Sequence, residues 1–484
     1  MAQSRNDTPP SPSVAARTGL VLGLVFLLLT LIIPAPSGMS PVAWHCVGMA
    51  LLMASWWSTE AIPIPVTSLV PMVLAPALGI EGIKETAASY ANPIIYLFLG
   101  GFLLGIAMQV WNLHRRVALQ VLRVVGSEPK RQIAGFMIAT GFISMWVSNT
   151  ATAIMMLPIG LSVLSLLEHS DPKELNRFAT ALLLGIAYSA SIGGVATLIG
   201  TPPNALLAGY LSDSMNIDLG FAQWMLIGLP ISIAMMVVAW WWLCRGDFQL
   251  ATGGSESADM IHRELAEMGP MSAAEKRVGM VFLLAAAAWI VRPLLNNLGV
   301  DWLSDTSIAI LAGMALFLIP SGRHRGESLM NWEEAVKLPW GILLLFGGGL
   351  ALAGAISSSG LAEWIANQLS VLGALPTLAV IAGVVLVIIF LTEVTSNTAT
   401  AAAFLPLLGA MAMSLDIPVL VITAPAAIAA SCAFMMPVAT PPNAIVFGSG
   451  HMSIQSMIRA GFALNLAGTV LVTLMAYALI LLLW

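Results

Sequence analysis

The chain has 484 residues, 58% of them hydrophobic and only 9% charged, with a mean hydropathy of +0.91. A soluble domain carries roughly 25% charged residues, so this chain cannot present an ordinary water-facing surface. A net charge of -5 without a basic domain excludes a nucleic-acid binder, and three scattered cysteines exclude a disulfide scaffold. The remaining class is an all-α polytopic membrane protein.

Residues 1–16 are rich in Pro and Ser and read as a flexible cytoplasmic tail. The rival reading is a signal peptide, for which the apolar run 19–33 is long. Uncharged runs then place the spans, because a crossing helix needs roughly 20 mostly apolar residues. Spans are expected at 18–36, 41–57, 62–80, 94–113, 178–212, 219–244, 277–298, 305–321, 338–366, 416–447 and 457–484. Two further apolar stretches lie near 132–167 and 371–414, and one long polar loop covers 245–276.

Lys and Arg set the orientation. Arg5 and Arg17, the cluster Arg115 to Arg131, Lys173, Arg177, the 245–276 loop, Arg323, Arg325, Lys337 and Arg459 all fall on one side under one condition. The N-terminus is inside, and 132–167 enters the membrane and returns. Only Lys84 and Arg292 then lie outside. The pattern favours a re-entrant hairpin.

The chain also repeats itself. SNTATAIMMLP at 148–158 recurs as SNTATAAAFLP at 396–406. Phe98–Gly101 matches Phe346–Gly349, and Thr201-Pro202-Pro203-Asn204 matches Thr440-Pro441-Pro442-Asn443. Three motifs in the same order imply two structural repeats. An odd number of crossings separates them, so the copies are expected to be inverted, with broken helices at the midplane, as in secondary transporters.

Each motif has a physical reading. A single helix over 132–167 would overshoot the bilayer at ~1.5 Å per residue. Two half-length helices fit instead, with Ser148-Asn149-Thr150 at the tip. Ser, Asn and Thr are good N-caps, and the free N–H groups behind them form an anion site. Ser396-Asn397-Thr398 is expected to do the same from the opposite side. Successive prolines in T-P-P-N break a helix and free upstream carbonyls, which are ligands for a hard cation.

No Lys or Arg lies in or beside these motifs. A buried dianion held only by dipoles, amides and hydroxyls is undercompensated, and bound monovalent cations would supply the missing charge. The residues therefore favour an anion carried together with Na⁺. The alternative is that Ser, Thr, Asn and Gly are packing glue between helices; duplication of the set argues against it. Gly100-Gly101 and Gly347–Gly349 do read as close-packing positions. Glu60 and Glu393 are intramembrane carboxylates; Glu60 sits at a span end, and Glu393 is placed to cap or brace the second hairpin. No His pair has metal-ligand spacing.

The paired SNT motifs, the two T-P-P-N segments and Ser58-Thr59-Glu60-Ala61-Ile62-Pro63 resemble the divalent anion/sodium symporter family, also called solute carrier family 13, over about 18–484. The resemblance implies eleven transmembrane helices, two re-entrant hairpins and a homodimer working as an elevator. Scaffold helices would occupy 17–130 and 277–370, and transport halves 131–244 and 371–484, joined by the cytoplasmic loop 245–276. It also implies that substrate carboxylates meet Ser148, Asn149, Thr150, Ser396, Asn397 and Thr398, with Thr201 and Thr440 nearby. One Na⁺ site would use Ser144, Ser148, Asn149 and the Gly200 carbonyl. The other would use Thr392, Thr395, Asn397 and the Ala439 carbonyl. Some bacterial relatives carry Ser where Thr201 stands.

The expected activity is Na⁺-coupled import of a C4-dicarboxylate such as succinate, malate or fumarate across a plasma membrane. Neither enzyme chemistry nor an organic cofactor is expected. A Na⁺-independent exchanger of the same fold, and a citrate or sulfate carrier, remain open alternatives.

Overall fold

A computed structural model describes residues 13–126, 128–167, 171–245, 248, 254–300, 302–369 and 375–484. These residues are helical apart from turns, loops and one isolated β-bridge between Pro320 and Ser328. Helices α1 (Val14–Ile32) and α2 (Pro41–Thr59) lie antiparallel. Small residues let them touch: a Cβ on Gly19 would stand 1.8 Å from Thr59 Oγ1, and one on Gly48 would stand 2.0 Å from Thr30 Oγ1.

The expected span at 62–80 is not one helix. It is α3 (Ile64–Thr67) followed by α4 (Val70–Ala77), because Pro71 cannot donate at the second position of α4. After α5 (Ile83–Ala88) comes α6 (Pro93–Val110), and then the amphipathic α7 (Leu113–Val125). The first SNT stretch folds as α8 (Pro129–Ser144), a turn, and α9 (Asn149–Ser165).

The next span is broken. Helix α10 (Pro172–Val195) stops, residues 196–201 run unwound, and α11 (Pro202–Met215) resumes. From Phe178 to Val195, every residue of α10 is buried except Thr180, so this helix forms the centre of the molecule. Helix α12 (Phe221–Leu243) follows. The expected loop at 245–276 instead contains a helix, α13 (Gly254–Glu267), whose Glu264 pairs with Arg115 on α7.

Helices α14 (Ala273–Asn297), α15 (Asp305–Leu318), the short α16 (Trp332–Ala335) and α17 (Trp340–Ser358) come next. The expected span 338–366 ends early, at Gly360, whose φ of +77° suits glycine and turns the chain into α18 (Leu361–Leu369). The second SNT stretch is α19 (Thr377–Thr392), a turn, and α20 (Asn397–Ser414). Then come α21 (Val419–Ala430), an unwound stretch 431–440, α22 (Pro441–Phe447) and the long α23 (Ile454–Leu483).

Polar contacts sort the helix ends into two groups. Trp240 near the end of α12 donates to Lys130 O at the start of α8 (3.0 Å), and Arg177 near the start of α10 donates to Arg245 O (2.9 Å). Both ends of the 129–171 segment therefore lie beside one end of α12, so α8 and α9 enter and return. Arg116 with Glu275 (2.7 Å) and Arg277 with Pro320 O (2.6 Å) join the same side. On the other side, Arg292 pairs with Asp305 (3.0 Å), which also accepts from Phe221 N (2.7 Å) at the start of α12. Among the described residues, seven helices are long and apolar enough to cross a bilayer.

Candidate functional site

Four helices begin at one place. The N-caps of α9, α11, α20 and α22 are Ser148, Thr201, Ser396 and Thr440. All four line a single cavity of about 960 Å³, together with Asn149, Thr150, Asn397 and Thr398. The eight expected substrate residues thus share one wall system, although 248 positions separate the two SNT motifs. The aligned helix dipoles place four partial positive ends around this space.

The four N-termini are not equivalent as donors. In α11 and α22 the first two helical positions are prolines, which have no N–H. In α9 and α20 those positions are Asn149-Thr150 and Asn397-Thr398, which keep theirs. Only the SNT ends therefore keep the N–H groups of their first two helical positions. The proline ends contribute the carbonyls just before them, Gly200 and Ala439, which also line the cavity.

Behind the cavity lie two matching oxygen sets. Ser144 is fully buried, and its Oγ stands 2.6 Å from the Ala190 carbonyl and 2.6 Å from the Asn149 amide. The same amide atom lies 3.0 Å from Ala190 O and 3.3 Å from Gly200 O. An amide nitrogen there donates to all three; an amide oxygen there completes a set of four oxygens. Rotating the Asn149 amide by half a turn exchanges a self-satisfied cluster for four oxygens facing one another. Thr392, also fully buried, repeats the pattern: its Oγ1 is 2.8 Å from Asn397 Oδ1 and 3.0 Å from Ala430 O. Each hydroxyl has one proton and two acceptors.

The donor sets fit a hard monovalent cation, since every atom in them is a neutral oxygen. Ser148 spends its side chain as a cap, accepting from Ala151 N at 3.3 Å. Thr395 lines the cavity, but its hydroxyl turns into the hairpin, 2.9 Å from Leu391 O and 2.6 Å from Thr400 Oγ1. Thr201 Oγ1 sits 3.3 Å from Ser431 Oγ and ties the first proline motif to the second unwound stretch.

The unwound stretches are held by the two motif asparagines. Asn204 Nδ2 donates to Gly194 O and Val195 O (both 3.2 Å) and Thr197 O (2.8 Å). Asn443 Nδ2 donates to Ala433 O (3.0 Å) and Met436 O (3.1 Å). The repeat thus extends to hydrogen bonds.

Glu393 breaks the symmetry. Its carboxylate accepts from three consecutive backbone N–H groups, Phe434 (2.7 Å), Met435 (2.9 Å) and Met436 (2.9 Å), and from Asn465 Nδ2 (2.7 Å) on α23. It braces the unwound stretch rather than the hairpin, which corrects the expectation from sequence. In the first repeat the neighbouring brace is a hydroxyl, Thr197 Oγ1 donating to Met145 O at 2.5 Å.

Glu60 is exposed, left-handed at φ +48°, and among the described residues the only titratable side chain lining the cavity. No Lys, Arg or His lines it among the described residues. The cavity runs outward past Trp57–Ala61 to Ser13–Ala16, the end of α2 and the start of α1. Val394 and Val438 are 67% and 80% exposed because they face this space. Sequence reasoning missed both, since an exposed valine in an apolar chain carries no signal.

The chain is 43% identical to the sodium-dependent dicarboxylate transporter SdcS of Staphylococcus saprophyticus, across 97% of this chain and 92% of that one. It is 42% identical to SdcS of Staphylococcus aureus strain USA300, across 95% and 90%. Two solved transporters share the fold at low identity. Neisseria gonorrhoeae MtrF gives a TM-score of 0.58 at 14% identity over 96% of this chain and 94% of that one. Alcanivorax borkumensis YdaH gives 0.57 at 17% over 97% and 99%. The profile described as the sodium:sulfate symporter transmembrane region matches residues 15–484, and this chain belongs to that family of membrane transporters.

Proposed function

We propose that this protein is a plasma-membrane symporter that imports a C4-dicarboxylate of the succinate, malate and fumarate class together with Na⁺. One observation carries the reading. Asn149 and Asn397 each stand in an oxygen set and in the wall of one cavity that has no cationic side chain among the described residues. A dianion there depends on the ions for its charge balance, and each ion orders the amide that the anion meets. That shared contact couples the two ligands reciprocally. The names of the SdcS relatives, sodium-dependent dicarboxylate transporters, support the ion and the substrate class.

In this reading one carboxylate meets Ser148, Asn149 and Thr150 and the other meets Ser396, Asn397 and Thr398, with Thr201 and Thr440 flanking. Val394 and Val438 face the methylene chain between them. Na⁺ is held by Ser144, Asn149 and the Gly200 carbonyl with Ser148 beside them, and by Thr392, Asn397 and the Ala439 carbonyl with Thr395 beside them. The two halves 131–244 and 371–484 form an inverted pair that moves as a transport unit against a dimeric scaffold of 17–130 and 277–370. With the Lys/Arg-rich side cytoplasmic, the N-terminus is inside and the cavity faces the cytoplasm.

Voltage sets the stoichiometry. Moving a dianion inward against 100 mV costs about 4.6 kcal/mol, at ~2.3 per charge. Two Na⁺ only cancel the charge, so voltage-driven import needs a third cation.

Thermal unfolding of the purified protein tests the ligand reading. Succinate should raise the Tm in NaCl and not in choline chloride, and it should do so more than citrate or sulfate at equal concentration. A larger shift with sulfate, or the same succinate shift without Na⁺, would contradict it.

A further inference from the structure

We propose that a second pocket, between the start of α10, the end of α12 and the start of α23, binds the phosphate of an anionic phospholipid. The pocket measures about 450 Å³ and is lined by four cations, Lys173, Arg177, Arg245 and Arg459, and, among the described residues, by no acidic side chain. Three helices thus bring together charges from positions far apart in sequence. Among the described residues only Arg177 of the four forms an ion pair, with Glu174 at 3.4 Å. Arg177 also donates to Arg245 O (2.9 Å), which fixes the start of α10 against the end of α12. The Arg245 guanidinium lies over Trp242, 3.9 Å from the ring centroid, and 4.9 Å from that of Trp241. Stacking holds this charge at the rim.

Glu174 offsets Arg177 alone, and the remaining like charges around one concavity repel each other unless an anion sits among them. A phosphate oxygen set matches guanidinium and ammonium donors, and both a free phosphate and a lipid headgroup present it. The surroundings select the lipid. Beside the cations and the polar Asn176, Thr180 and Ser456, the wall carries Leu184, Leu243 and Trp242, an apolar surface that suits a glycerol ester and acyl chain. Trp241 is 58% exposed on the outer face of α12, where indole rings mark the headgroup level of a bilayer. The pocket also lies on the side where Lys and Arg gather, and basic pockets between helices on that side take anionic headgroups. A zwitterionic headgroup would bring an ammonium into the same cluster and lose the attraction.

The test uses the full chain, purified in a neutral detergent, and native mass spectrometry with phosphatidylglycerol, phosphatidylcholine or inorganic phosphate at equal concentration. Phosphatidylglycerol adducts should exceed phosphatidylcholine adducts about fivefold or more. The double variant Lys173→Gln with Arg459→Gln should lose that preference, and Lys173→Arg with Arg459→Lys should keep it. Succinate uptake by the glutamine variant in phosphatidylcholine vesicles should match the unsubstituted protein, which separates a lost lipid site from a damaged fold. Equal retention of the two lipids by the unsubstituted protein would overturn the proposal, as would an unchanged preference in the glutamine variant. Displacement of phosphatidylglycerol by inorganic phosphate would overturn the lipid as the source.

Discussion

With the Asn149 amide oxygen turned toward it, Ser144, like Thr392, has one proton for two acceptor oxygens, so neither set is satisfied by its own hydrogen bonds. A hydrogen bond to a charged group is worth about 1.5–3 kcal/mol, so losing a ligand hydroxyl should weaken ion binding roughly 10- to 100-fold. We expect Ser144→Ala and Thr392→Ala to raise the half-saturating Na⁺ concentration for succinate uptake by that order while leaving the protein folded. Unchanged Na⁺ dependence in both would remove these hydroxyls from the ion sites.

Glu393→Gln should act differently. The amide replaces an acceptor with a donor that faces backbone N–H groups, at a cost of about 1–3 kcal/mol. We expect a lower Tm together with a weakened response to Na⁺, because the stretch 434–436 leads directly to Ala439. A Tm equal to that of the unsubstituted protein would show that the carboxylate does not brace this stretch. The meeting of the two SNT motifs at one cavity was legible because identical side chains recur at a fixed offset. The brace was not, because most partners of Glu393 are backbone groups some forty positions away that carry no signature in sequence.

Close packing of helices depends on missing side chains. A Cβ on Gly193 would stand 2.3 Å from the Gly141 carbonyl, and one on Gly461 would stand 2.2 Å from the Phe434 carbonyl. Both obstacles are backbone and cannot swing aside. We expect Gly193→Ala to push α8 from α10, and Gly461→Ala to push α23 from the unwound stretch. Each should cost about 1–3 kcal/mol as overpacking, read as a lower Tm, whereas Gly383→Ala, with open space around it, should change little.

The first hairpin was legible because charge bookkeeping required 132–167 to return to its starting side, and the contacts at Lys130 and Arg177 place both its ends beside α12. The breaks at Pro71 and Gly360 were not. An apolar run of about 20 residues looks continuous until neighbours decide whether a proline or glycine inside it stops the helix.

Taken whole, the molecule presents a cavity that reaches the SNT and T-P-P-N motifs from the side where α1 begins. Access should therefore be one-sided in this state. The three native cysteines are buried, so a thiol placed at Val438 should dominate labelling by a membrane-impermeant maleimide. Val438→Cys should react from the Lys/Arg-rich side, and succinate with Na⁺ should slow the reaction. Equal rates from both sides of sealed vesicles would contradict a closed opposite face.

The most direct test of the whole account is succinate uptake into proteoliposomes with and without an inward Na⁺ gradient, at clamped voltage. We expect uptake that requires Na⁺, increases when the interior is negative, and is lost in both Asn149→Ala and Asn397→Ala. Uptake indifferent to Na⁺ but dependent on internal dicarboxylate would mean an exchanger, and the two oxygen sets would not be ion sites.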